Sequence, residues 1–299
     1  MRALTLSLLA ALGLGAASTA RAADLDYDYL RGADYDPAPV AVLDWSGVYL
    51  GGHGGYTSAA VGSKGTLQSL IYQRSHDSTA ETDFRASTLI NPSNARVGDV
   101  TFGGYVGYNM QFDQFVFGIE GDYTSFGRMA VSGDRIGRFG TSSTGLFETV
   151  SLNGYSATRV NDYGTIRGRA GYVLGSFMPY VTAGLAIGRA RIADTVAYRD
   201  YGYSLTAYNA TLAGNATYVD RFGYTSFNPA SPADGTPAVS LLARTRTRVV
   251  AGFAAGVGLE YAVTPNILLR GEYQYVLLNN FDGRKINLNT VRGGAAVKF

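Results

Sequence analysis

The sequence predicts an all-β chain, an eight-stranded antiparallel up-and-down transmembrane β-barrel with short periplasmic turns and long extracellular loops. Three observations predict it. Period-two alternation recurs in eight separate stretches. The connections between them alternate strictly between short and long, which a spanning barrel requires and a soluble sandwich does not. The alternation is also inverted. Large apolar residues share one face, while glycines and charges share the other, and an apolar exterior around such an interior suits lipid.

The elements follow in order. Arg2, the apolar run 3–17 and the small-x-small site Ala20-Arg21-Ala22 make residues 1–22 a secretory signal peptide, too short to span a bilayer. Loss of Arg2 and Arg21 leaves 23 basic residues against 23 acidic ones. A neutral chain gives no reason to expect a nucleic-acid partner. Residues 23–44 carry six aspartates, Arg31, Pro37 and Pro39, and read as a periplasmic linker. The barrel is expected over 45–299. The chain has no cysteine and two histidines, so neither a disulfide framework nor a metal site is expected.

The first strand is Trp45 to Tyr56. The second sets Val100, Phe102, Val106 and Tyr108 against Thr101, Gly103, Tyr105 and Asn109. The third sets Phe115, Phe117, Ile119 and Tyr123 against Val116, Glu120 and Asp122. The fourth sets Ile166, Ala170 and Tyr172 against Arg167 and Arg169. The fifth sets Val181, Leu185 and Ile187 against Thr182, Gly184 and Gly188. The sixth sets Val249, Phe253, Val257 and Tyr261 against Arg248 and Glu260. The seventh sets Leu269, Tyr273 and Tyr275 against Arg270 and Glu272. The eighth runs from Val291 to Phe299, with Arg292 and Lys298 on the inner face. The short connections are 112–114, 175–177 and 263–266, and the long ones 57–99, 127–162, 190–247 and 277–289. Aromatic residues near strand ends, Phe115, Tyr172, Tyr261 and Phe299 at one level and Tyr56, Tyr123 and Tyr275 at the other, read as interface girdles.

Several of these stretches, WSGVYLGGHGGY (45–56), GGYVGYNMQFDQFVFGIEGDY (103–123), YGTIRGRAGYVLG (163–175), PYVTAGLAIG (179–188) and GLEYAVTPNILLRGEYQY (258–275), resemble the strands of small alphaproteobacterial outer-membrane proteins, the RopB type and the Bartonella hemin-binding type. The resemblance implies an OmpA-like eight-stranded fold, residence in the bacterial outer membrane and a part in host or environmental contact. The ending is similar to the signal read by the outer-membrane insertion machinery, at Arg292, Gly294, Val297 and Phe299.

The candidate lumen network comprises Glu120, Asp122, Arg167, Arg169, Arg248, Glu260, Arg270, Glu272, Arg292 and Lys298. An eight-stranded interior is just wide enough for side chains, and both signs sit on neighbouring strands. A paired plug is therefore favoured over a selectivity-tuned pore. Counting from the short turns pairs Glu120 with Arg169 or Arg292, and Asp122 or Glu272 with Arg167 or Arg292, in two layers. GGHGGY has no following helix and is not a phosphate loop; His53 reads as structural. His76-Asp77-Ser78 holds hydrolase residue types, but adjacency forbids triad geometry, and no enzyme is expected. Arg189 and Arg191 continue the outer face of strand five, where they either suit lipopolysaccharide phosphates or form a solvated strand end. Tyr198, Tyr201, Tyr203 and Tyr208 could hold hemin, although packing among themselves is favoured; no cofactor is expected. The expected function is non-enzymatic, envelope structure and surface contact through the loops. The alternatives are a narrow porin-like diffusion channel and a hemin- or ligand-binding barrel. Expected partners are outer-membrane lipid, lipopolysaccharide, the insertion machinery and host or environmental surface ligands.

Overall fold

A computed structural model describes residues 43–215, 218–281 and 283–299. The expected signal peptide and all but the last two residues of the expected linker lie outside the described residues. Eight strands form the wall: β1 Gly47–Val61, β2 Ala95–Phe112, β3 Phe115–Thr141, β4 Phe147–Tyr172, β5 Phe177–Tyr203, β6 Ser240–Thr264, β7 Ile267–Phe281 and β8 Arg284–Lys298. Each pairs antiparallel with its neighbours in sequence, and β1 pairs with β8 from Tyr49↔Lys298 to Val61↔Ile286. The ring closes, which removes the open edge that lipid cannot solvate.

The outward positions are apolar, as the inverted alternation requires. Leu50, Val106, Phe117, Ile166, Leu185 and Val257 are exposed, whereas the alternating inner residues are buried. At the short-turn end Phe115 meets Tyr172 and Phe177 meets Tyr261, with ring centroids 5.3 and 4.7 Å apart.

Two expected loops turn out to be strand. The 127–162 connection is the tip of a long β3–β4 hairpin, leaving 142–146 between the strands, and β5 and β6 extend beside it. Above the membrane zone the alternation changes sense. Val150, Leu152, Val160, Ile192 and Val196 point inward, while Thr149, Ser151, Asn153 and Thr195 face out. That is the pattern of a soluble sheet in water, so a search for lipid-type alternation reads it as loop. Bulges at Ser125/Arg128 and Val160/Asp162 mark the change, with Gly127 at φ +67° supplying the left-handed residue. The 277–289 connection also shrinks, because β7 and β8 continue to a turn at Gly283. Val276 and Leu278 point inward there, onto Ile286, Leu288 and Val250.

The barrel is filled along its length. At the periplasmic end Trp45, Tyr49, Tyr105, Met178 and Leu268 pack together. A charge cluster follows, then Thr57, Thr101, Thr290 and Tyr163, joined through hydroxyl contacts of 2.8–3.2 Å. The apolar layer around Val250 and Leu278 lies above. Beyond it, β3 to β6 rise as a four-stranded wall, since β2 leaves β3 at Phe102↔Ser125 and β7 leaves β6 at Leu278↔Gly252. The 62–94 connection folds over the inner face of this wall as a lid. It carries helices α1 Gln68–Ser75, α2 Thr79–Thr82 and α3 Ala86–Leu89, and sets Leu67, Ile71, Phe84 and Ile90 against Val150, Leu152, Val196 and Tyr198.

Candidate functional site

The centre of the lumen is a cluster of four carboxylates and four guanidiniums. Antiparallel register sets three pairs directly opposite: Glu120 with Arg167, Glu260 with Arg270, and Glu272 with Arg292. Arg167 reaches Glu120 at 2.7 Å, Asp122 at 3.0 Å and Glu272 at 2.5 Å. Arg270 reaches Glu120 and Glu260, both at 2.6 Å, and Arg169 meets Glu260 at 2.9 Å. Arg292 lies 3.3 Å from Asp122 and 3.1 Å from Glu272. All eight side chains are no more than 1% exposed or lack exposure entirely. The arginine planes also stack on the tyrosines beneath, Arg270 at 4.0 Å from the Tyr105 ring and Arg169 at 4.3 Å from Tyr180. Tyr49 and Tyr180 donate to Glu120 and Glu272 at 2.9 and 3.0 Å.

Asp122 and Glu272 each meet Arg167 and Arg292, as expected, while the pairing expected for Glu120 is corrected. Phe115 stands opposite Tyr172 rather than Leu174, so Glu120 meets Arg167 across the strand and Arg169 reaches it only at 3.8 Å. Arg270, left out of the expected pairs, joins the layers into one network. Two expected members stand apart. Arg248 has inner-face parity but is exposed, because it lies above Gly252, where β6 has already parted from β7. Lys298 is buried at the periplasmic rim, where its ammonium donates to the Asp44 carbonyl, away from the cluster. His53 touches the cluster through Nε2, 3.3 Å from Arg292.

A second network, missed in the sequence, ties lid to wall. Asp194 accepts from Arg284 at 2.6 Å and Arg244 at 2.8 Å, and Arg244 continues to Ser69 Oγ and the Thr66 carbonyl. Asp134 and Asp83 accept from the Asn91 and Ser143 amides. Beneath the lid, Glu148 is fully buried and faces Asp200, whose carboxyl burial, together with the neighbouring Glu148, pushes up to about 7.

The remaining candidates separate. His76 Nδ1 pairs with Asp77 at 2.8 Å, while the Ser78 hydroxyl donates to the Ser75 carbonyl, so no triad forms. Tyr198 is buried in the lid interface. Tyr201 and Tyr203 lie on β5, not in a loop, and stack edge-on with Tyr224 and with Tyr208 of helix α4 Leu205–Leu212. Arg189 folds over Asp162 in a two-point contact, and Arg191 is exposed on the same outward face. At the end of the chain, Val297 and Phe299 face out, while Arg292 and Gly294 face in.

A family model described as the outer membrane protein beta-barrel domain matches residues 7–299. The chain belongs to this family. It is 28% identical over 280 residues to the 31 kDa outer-membrane immunogenic protein of Brucella melitensis, covering 88% of this chain and 87% of the relative. Over 132 residues it is 33% identical to the 22 kDa outer membrane protein of Rhizobium leguminosarum, covering 42% and 53%. Among solved structures, neisserial surface protein A matches with a TM-score of 0.34 and 14% identity, over 85% of this chain and 98% of that one. The family places the protein in the bacterial outer membrane, where an all-β transmembrane barrel with the small alphaproteobacterial relatives' strand pattern is at home.

Proposed function

We propose that the protein is a closed, non-enzymatic barrel that contributes to envelope structure and presents its four-stranded wall, lid and the 204–239 loop for surface contact. The interlocked charge cluster carries this reading. Eight buried charges of balanced sign, each touching at least two of opposite sign or a tyrosine, fill the lumen beneath a continuous apolar layer. Taking such charges out of water is costly unless they are paired, and pairing holds them in place. The lid adds a third closure. Naming of the Brucella relatives as immunogenic proteins fits a wall displayed at the surface. Arg189 and Arg191 at the outward rim suit contact with lipopolysaccharide. The exit signal Arg292, Gly294, Val297 and Phe299 serves the insertion machinery in this reading. Planar-bilayer recording tests it: the purified chain should give no steady conductance. A reproducible open channel in the parent protein would favour the diffusion-pore alternative instead.

A further inference from the structure

A concave groove of about 690 Å³ runs across the lipid-facing side of β1 to β5. Its volume falls within the ~300–1,000 Å³ range of ligand pockets. Gly104, Gly121 and Gly164 form its floor, and Val106, Leu185 and Ile187 stand at its sides. Glycine weakens a strand interior, so each one calls for a reason. Inward glycines have one: the Tyr49 ring occupies the place of a side chain at Gly107, and Asn109 does so at Gly118. The floor has a different character. A Cβ at Gly121 would meet nothing nearer than the Thr165 carbonyl at 3.9 Å, and one at Gly104 nothing nearer than the Gly51 carbonyl at 3.5 Å. A Cβ at Gly164 would lie 3.3 Å from the Asp122 carbonyl, so packing favours glycine there; it makes no such demand at Gly104 and Gly121, which leave space on the outside.

An independent observation lies directly above. Arg159 and Arg191 stand opposite each other on β4 and β5, both outward and exposed, flanked by Met129 and Thr247. Like charges directly opposite on a sheet repel. Among the described residues neither forms an ion pair. The one outward carboxylate next to them, Asp162, is already held by Arg189. An anion shared between the two guanidiniums would remove the repulsion.

We propose that the groove and the Arg159–Arg191 pair form one site for a phosphorylated, acylated glycolipid of the outer leaflet, with an acyl chain lying over Gly104, Gly121 and Gly164 and a headgroup phosphate between the arginines. This rests on the outer-membrane reading above and gives lipopolysaccharide a defined place. In lipid the acyl chain gains no hydrophobic transfer energy from the groove; close packing against an otherwise unfilled surface holds it. The phosphate supplies the specificity.

The test uses the full chain, extracted from outer membranes in mild detergent and confirmed as a heat-modifiable barrel. Native mass spectrometry then reads the retention of added lipid A, of dephosphorylated lipid A and of the deacylated, phosphorylated headgroup. The parent should retain lipid A best. Gly121→Leu, which fills the floor, and the double variant R159Q/R191Q, which removes the phosphate pair, should each lower lipid A retention about tenfold, as expected for loss of a charge-assisted contact or its packing equivalent. The double variant should also lose the preference for lipid A over its dephosphorylated form. Undiminished lipid A retention in Gly121→Leu, or equal retention of the phosphorylated and dephosphorylated forms by the parent, would overturn the site while leaving the closed-barrel reading intact. Absence of the parent from the outer-membrane fraction would instead strike the functional reading itself.

Discussion

At the scale of single residues, the interior shows how much one arginine can hold. Arg167 touches three carboxylates and the Thr182 hydroxyl, so Arg167→Ala takes one partner from each of Glu120, Asp122 and Glu272 and leaves four buried carboxylates to three guanidiniums. Breaking a buried network in this way should cost about 3–5 kcal/mol and lower the temperature of the heat-modifiable gel shift. Arg248→Ala, on an exposed side chain outside the cluster, should change stability by no more than about 0.5 kcal/mol. Equal melting of the two variants would show that the cluster does not hold the barrel together. Strand parity is enough to put Glu120, Arg167, Glu260, Arg270, Glu272 and Arg292 on one face, because the side-chain period is two. It fails at Arg248, because parity does not say where a neighbouring strand ends. Nor does it give partners, since a stagger of two residues moves Glu120 from Arg169 to Arg167.

Asp200 offers a second test at this scale. Burial, then Glu148 beside it, raises its carboxyl from the ordinary 3.8 to about 7, with the Tyr198 hydroxyl and the Arg74 guanidinium the opposing neighbours. A carboxyl with a higher value in the folded state binds its proton there and not in the unfolded chain across the interval between the two. Stability contributed by the neutral form is therefore complete in acid and lost as pH rises from about 4 to about 7. Hydrogen exchange in the lid, corrected for the intrinsic pH dependence, should quicken over that window in the parent. Asp200→Asn should flatten the response. A lid equally protected at pH 5 and pH 8 in the parent would remove this account.

At the scale of elements, the membrane-spanning parts of all eight strands are legible because lipid imposes one rule on them: apolar out, small or charged in. The upper halves of β4 and β5 set apolar residues inward and polar ones outward, as a sheet in water does, so the lipid-type pattern does not extend to them. The lid escapes for another reason. Its helices are short, four to eight residues, and its apolar residues match a wall that the sequence does not announce. External protease should leave 177–203 intact and cut first within 204–239, where the Asn228–Pro232 segment has little alternation and several exposed positions. The lid, with Leu67 and Ile71 fully buried and Arg244 latching it at Thr66 and Ser69, should be cut later. First cleavage inside 163–188 would mean that the barrel is inserted the other way round.

At the scale of the whole molecule, closure depends on the last strand, and the last strand depends on its last residues. The Phe299 amide donates to the Val48 carbonyl at 2.8 Å, and the Lys298 amide to the Asn266 carbonyl at 2.8 Å, so β8 is fastened to both neighbours at its very end. Gly47 sits at φ +126°, and a side chain there would collide with the Phe299 carbonyl, so β1 begins with a residue that lets the final turn of the ring come close. The two terminal side chains have separate surroundings. Phe299 lies outward and 77% exposed, on the lipid-facing side, whereas Lys298 points inward to the Asp44 carbonyl. Deleting Phe299 removes an outward aromatic and one closing hydrogen bond together. Lys298→Ala removes only a rim contact. Surface levels on intact cells should therefore fall several-fold for the deletion, the loss of one buried backbone bond alone being worth about 1 kcal/mol or roughly fivefold, and stay close to the parent for Lys298→Ala. If both variants reach the surface equally, closure does not need its terminal aromatic, and the insertion-signal reading of Arg292, Gly294, Val297 and Phe299 falls with it.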